Sequence, residues 1–243
     1  DDIISNRVKA KLNNQFKVYN MAPVSFSGFD YYLKKGFIKK PRLMIYSKVE
    51  RFVSEPLILY DVRMDSKIKE KLAKVLELAN MNVFIDKGLR HFSIEWMRSR
   101  IHGVKGLGIP AGRGNSNMYF LDTAFHEHRE DDLHTTANAI TSYKRYCDSL
   151  GIHFLYIPMP DKETVYYDLV PFPRQPDYLL QLDSMLQIAK IPTINTVKLY
   201  NDYRQKNSKF LYNLDDTHWN SNATELLSKE IVNEINLGLI KVK

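Results

Sequence analysis

Residues 131–160 read DDLHTTANAITSYKRYCDSLGIHFLYIPMP. The first part has helical character and meets its C-terminal stop at Gly151. The second, IHFLYIPMP, is apolar apart from His153 and ended by prolines, which suits a buried strand. The same alternation continues downstream. PDYLLQLDSMLQIAK (176–190) predicts a second helix, IPTINTV (191–197) a second short strand, and SNATELLSKEIVNEI (221–235) a closing helix. Helix, strand, helix, strand and helix at this spacing imply a parallel sheet with crossover helices.

Upstream the pattern is looser. Ile4, Val8, Leu12 and Phe16 recur every fourth residue and predict an opening helix. FKVYNMAPV (16–24) reads as a short strand running into a loop at Pro23, and RLMIYSKV (42–49) as a buried strand. LILYDV (57–62) is a further apolar run, and SKIKEKLAKVLELAN (66–80) an amphipathic helix with Ile68, Leu72, Val75 (or Leu76) and Ala79 on one face. Residues 84–133 break the rhythm: five of the ten glycines fall at 103, 106, 108, 112 and 114. Gly106-Leu-Gly108-Ile-Pro-Ala111 has the outline of a dinucleotide loop. No strand signal precedes it, however, and Pro110 sits where a helix should begin. The segment therefore reads as an insertion loop over a cleft. The expectation is one α/β domain over 1–243 with its insertion at 84–133.

Composition narrows the function classes. Hydrophobic residues make up 44% of the chain, enough for a substantial core, and no stretch has the ~18 consecutive apolar residues of a membrane span. The opening DDIISNRVKAK does not read as a signal peptide, which leaves an exported origin open. A single cysteine, Cys147, excludes an internal disulfide framework and reads as a small packing residue. The net charge of +7 favours acidic partners such as a polyanionic glycan or an anionic envelope. The basic residues are scattered and no reader motif accompanies them, so nucleic acid is not an expected partner.

The chemistry concentrates in FLYNLDDTHWNSNATELLSKEIVNEI, residues 210–235. LDDTHWN lies between an apolar run and a helix, where open α/β sheets bind ligands. His218 there has the type and position of a general base. Asp216, or alternatively Asp215, can orient its imidazole and stabilise the imidazolium. Asn220 and Ser221 serve as N-cap candidates, which frees the aspartates from that duty. Trp219 is either a core anchor or a wall beside the histidine. Ser25 and Ser27, in PVSFSG, are the in-chain candidates for nucleophile or oxyanion loop, with Gly28 allowing close approach. Asn20 is a second oxyanion candidate.

Asp-Thr-His-Trp resembles the last block of the SGNH (GDSL-like) hydrolases, in the Asp-x-His-Trp form of the alginate O-acetyltransferase-like branch. GIHFLYIPMPDKETVYYDLVP (151–171) and residues 16–53, with their Glu50-Arg51 pair, resemble two other segments of that branch. The resemblance implies a flavodoxin-like three-layer α/β/α sandwich with a mostly parallel sheet. It implies a serine-type acyl-enzyme mechanism, as esterase or O-acetyltransferase on a cell-surface or exported polysaccharide. The implied setting is the bacterial cell envelope, periplasm or cell surface, with an acyl donor and a membrane-bound acyl-transfer partner; no cofactor or metal is implied. Ala22 falls where the branch places an oxyanion-loop residue. The chain departs from the pattern in one respect: it contains no Gly-Asp-Ser. The expectation is then either a chain truncated at its N-terminus or a catalytically deficient relative that binds glycan or acts as a scaffold.

Three further groups are weighed. His126-Glu127-His128, with His134, lacks a zinc-binding HExxH pattern and reads as surface. Asp161-Lys162-Glu163 sits at a carboxyl end and reads as a solvated turn, with substrate contact the alternative. Tyr31-Tyr32 and Tyr166-Tyr167 read as packing residues, with stacking on sugar rings as the alternative.

Overall fold

A computed structural model describes residues 4–18, 20–21, 24–51, 55–61, 106–110, 117–121, 130–170, 174–214 and 217–239. Its centre is a parallel pair, β1 (Leu43–Val49) and β4 (His153–Met159), in register from Leu43 opposite His153 to Val49 opposite Met159. On the far side of β4 a parallel bridge joins Tyr156 to Thr193. β4 is thus flanked on both edges, and six of its seven residues are buried, as expected of a strand covered on both faces. Pro158 lies within the strand rather than ending it, and its carbonyl accepts the Thr196 hydroxyl.

Alternation along the strands separates two apolar layers. Leu155, Ile157 and Met159 join Val8, Leu227 and Ile231 in one cluster. Phe154 and Tyr156 join Phe26, Ile140, Cys147 and Leu182 in the other. α1 (Ile4–Lys11) and α7 (Ser221–Glu234) cover the first face, and α2 (Phe26–Lys34), α3 (Glu130–Ser149) and α5 (Tyr178–Ile188) cover the second. α4 (Lys162–Val165) is a single turn after β4, and α6 (Thr196–Lys206) packs mainly through Tyr200 in the first cluster. This is the α/β/α layering expected from the sequence. No helix among the described residues is long and apolar enough to cross a membrane.

The expected stops and caps have clear physical forms. α3 closes where Gly151 turns to φ +67, and the Ile152 N–H donates to the Cys147 carbonyl at 2.9 Å. Asn220 caps α7, its side chain accepting the Asn222 and Ala223 N–H groups at 2.9 and 3.4 Å. Cys147 is fully buried, and burial pushes its thiol up to about 12, as befits a packing residue.

Several local expectations need correction. Among the described residues of 16–24 there is no strand. IPTINTV reduces to the single bridge at Thr193, because Asn195 already caps α6 by accepting the Lys198 N–H. The loop expected at PVSFSG is instead the start of α2, which Ser25 caps. A Cβ at Gly28 would lie 2.4 Å from Val24 Cγ1, so the glycine is a packing necessity within the helix. In LILYDV, Ile58 and Leu59 are exposed. The insertion is not wholly irregular: β2 (Gly106–Pro110) and β3 (Asn117–Leu121) pair antiparallel, which makes the glycine motif a strand. The helix expected at 66–80 lies outside the described residues.

Candidate active site

The carboxyl ends of β1 and β4 carry a buried polar network. Glu50 extends the ladder, its N–H donating to the Met159 carbonyl at 2.8 Å. Its Oε2 accepts the Asp161 N–H at 2.8 Å and the Thr164 hydroxyl at 2.7 Å. Burial pushes the Glu50 carboxyl up from 4.5 to about 8, against the opposing pull of those two hydrogen bonds. Arg51 donates to Asp161 Oδ1 at 2.6 Å. Burial raises the Asp161 carboxyl and the Arg51 guanidinium pulls it back down. Asp161, Lys162, Glu163 and Thr164 are all buried. The solvated turn expected here is therefore corrected: a charged triplet after a proline looks exposed in sequence, yet other segments of the chain enclose it.

Above this network lies the loop of His218. Leu211–Asn213 and His218–Asn220 run antiparallel, with Tyr212 bridged to Trp219. The Asn213 N–H donates to the His218 carbonyl at 3.0 Å, and the Asn220 N–H to that of Leu211 at 2.9 Å. Leu211 and Tyr212 are buried, and the Tyr212 hydroxyl donates to the Pro160 carbonyl. The Tyr166 hydroxyl accepts the Leu211 N–H at 2.9 Å, and its ring lies under Arg204, so Tyr166 is a core residue. Asn220 Nδ2 reaches back to the carbonyls of Phe210 and Tyr212 at 2.8 and 3.2 Å. From β4's side Lys162 Nζ donates to the Asn213 carbonyl at 2.6 Å and, more weakly, to that of Leu214 at 3.5 Å. His218 stands exposed at the end of this braced loop, while Trp219 is half-buried against the first cluster.

The other predicted site residues are dispersed. Asp215, Asp216 and Ala22 lie outside the described residues, as do His126, Glu127 and His128. Asn20 and His134 are exposed. Ser25 is the N-cap of α2, its hydroxyl accepting the Gly28 N–H at 3.1 Å. Ser27 accepts the Ile58 N–H at 3.0 Å. Both serines line a cleft of about 410 Å³ with Tyr46, Ser47, Lys48 and Glu55. Its walls Phe26, Tyr46 and Tyr143 pack in the second cluster, whereas Leu214 and Trp219 pack against the first. Among the described residues no three metal-ligating side chains come together.

Over residues 114–241, more than half its length, the sequence matches the family described as an SGNH hydrolase-like domain of the acetyltransferase AlgX. The chain belongs to this family. The matched span holds α3, β4, the Asp161–Lys162 segment, the His218 loop and α7. No curated protein and no solved structure matches the chain. The sequence pointed to Asp161-Lys162-Glu163 and to Glu50-Arg51, but not to the burial of Lys162 and Glu50 or to the reach of Lys162 to Asn213. The available signal was a charged triplet placed one proline after a largely apolar parallel strand.

Proposed function

We propose that this domain moves O-acyl groups, acetyl above all, on a carbohydrate polymer of the cell surface or an exported polysaccharide. His218 is the general base, and Asp216 or Asp215 orients it. The supporting observation is an exposed histidine held by a braced loop at the carboxyl edge of the sheet, in a chain of the AlgX family. A serine Oγ gives its proton to the His218 imidazole and attacks the acyl carbonyl. The tetrahedral adduct collapses, and the departing alcohol takes the proton from the imidazolium. A sugar hydroxyl or water then gives its proton to His218, attacks the acyl-serine, and restores the serine. The first acceptor makes the protein an O-acetyltransferase, the second an esterase. Asn20, Ala22 and Trp219 are the candidates for contacts to oxyanion or sugar, and the net charge of +7 suits an acidic polymer.

A second reading, a glycan-binding or scaffolding domain of the same fold, draws on one observation. Ser25 and Ser27, the in-chain serine candidates, both hold backbone N–H groups. Labelling with a serine-reactive fluorophosphonate, mapped by mass spectrometry, separates the two. A single serine adduct that disappears in His218→Ala, with acetyl-ester turnover lost alongside, supports the enzyme. A folded protein that takes no label and turns over no ester, yet retains the polysaccharide, supports the scaffold.

A further inference from the structure

We infer that Lys162 is a positioning residue whose ammonium sets the shape of the His218 loop. The catalytic consequence rests on the reading of His218 as base; the brace itself does not. A lysine 1% exposed is unusual, because removing an ammonium from water is costly unless acceptors replace its hydration. Here the replacements are specific. Nζ lies over the Phe120 ring at 5.4 Å and donates to the Asn213 carbonyl at 2.6 Å, with Leu214 O at 3.5 Å. Those two carbonyls belong to the ascending arm of the loop, immediately before Asp215 and Asp216. The same residue, Asn213, ties that arm to the descending one through its N–H to the His218 carbonyl. A cation on one side of Asn213 and the His218 carbonyl on the other fix where the descending arm lies, and with it the imidazole.

Lys162 is held in turn. It opens α4, whose Thr164 hydroxyl and preceding Asp161 N–H both bond to Glu50, and Arg51 grips Asp161. The carboxyl ends of two parallel strands are thereby linked to a loop about fifty residues on. The Asn220 side chain braces the loop from α7, through the carbonyls of Phe210 and Tyr212. Lys162 supplies the opposite support, and a neutral side chain of the same length has no donor for the Asn213 carbonyl.

The test compares Lys162→Met, which keeps the apolar stem, with Lys162→Arg, which keeps the charge, in the full chain. Amide hydrogen exchange is read at Asn213 and Asn220 against Leu155 and Ile157 in β4. In Lys162→Met the loop amides exchange about tenfold faster or more while β4 is unchanged, and Lys162→Arg recovers part of the protection. Acetyl-ester kcat falls about tenfold with KM within about twofold, since the base is displaced rather than the substrate contacts. Loop exchange equal to wild type, or faster exchange spread equally over β4, overturns the proposal. His218→Ala separates the two claims: retained turnover there refutes the base, while the exchange comparison still decides the brace. If Lys162→Met does not fold, the wild-type Lys162 ammonium ¹⁵N signal decides. A resolved, slowly exchanging signal supports the brace, and exchange as fast as a surface lysine overturns it.

Discussion

Glu50→Gln isolates the energetic effect of a buried carboxyl. In the folded protein Glu50 is 4% exposed, and burial pushes it up from 4.5 to about 8. Between those values the folded state holds a proton that the unfolded chain has released. The sign follows directly: stability is fully present below 4.5 and is lost as pH rises through about 8. Each pH unit in that window removes ~1.4 kcal/mol, so between about pH 5 and about pH 8 the loss is on the order of 3–4 kcal/mol. Glutamine is neutral and of nearly the same shape. Its carbonyl oxygen can accept the Asp161 N–H and the Thr164 hydroxyl as Glu50 Oε2 does. The assay is urea unfolding of wild type and Glu50→Gln at about one-unit steps across this range. Taking the difference between the two proteins cancels every titration they share. The variant gains on the wild type as pH rises, by roughly 3–4 kcal/mol over the window. A difference that stays constant with pH would show that Glu50 is ionised throughout, and the argument from burial would be wrong.

Three further outcomes are expected. Asn220→Ala removes the cap of α7 together with two donors to the 210–212 arm, and costs ~1–2 kcal/mol or somewhat more in urea unfolding; no measurable loss would deny the cap its importance. Glu225 is drawn down to about 2, first by the Lys11 hydrogen bond and then by Arg7, on a surface joining α1 to α7. Because its side chain is 34% exposed, Glu225→Gln costs at most ~1 kcal/mol near neutral pH. That cost disappears as pH falls from 4.5 toward about 2 and shrinks in high salt, which salt-resolved melting curves would read. Cys147, with its thiol pushed up to about 12, reacts with a thiol reagent near neutral pH only through unfolding. Labelling in the native state as fast as in urea contradicts its burial.

Much of this architecture is written in short-range pattern. The apolar run from Phe154 to Met159 suits a strand covered on both faces, and Gly151 and Asn220 mark helix ends through local backbone chemistry. The place of His218 in a loop between an apolar run and a capped helix was legible. Other elements resisted for reasons equally local. PVSFSG reads as a loop until Ser25 is seen capping α2, with Gly28 packed under Val24. α6 starts within IPTINTV, whose Thr196 and Val197 favour a strand until Asn195 caps the helix they enter.

The sequence by itself determined which segments alternate, where helices begin and stop, and where a histidine with acids beside it meets the sheet's edge. Those properties depend on neighbours a few residues away. Only the tertiary structure decided that Asp161, Lys162, Glu163 and Thr164 are buried, because their enclosure is built from Glu50 and Asn213, far off along the chain. It likewise decided that the Ser25 hydroxyl caps α2 and that the Ser27 hydroxyl holds the Ile58 N–H. A charge's environment is set by whatever packs around it in space, and a local pattern carries no information about residues a hundred positions distant.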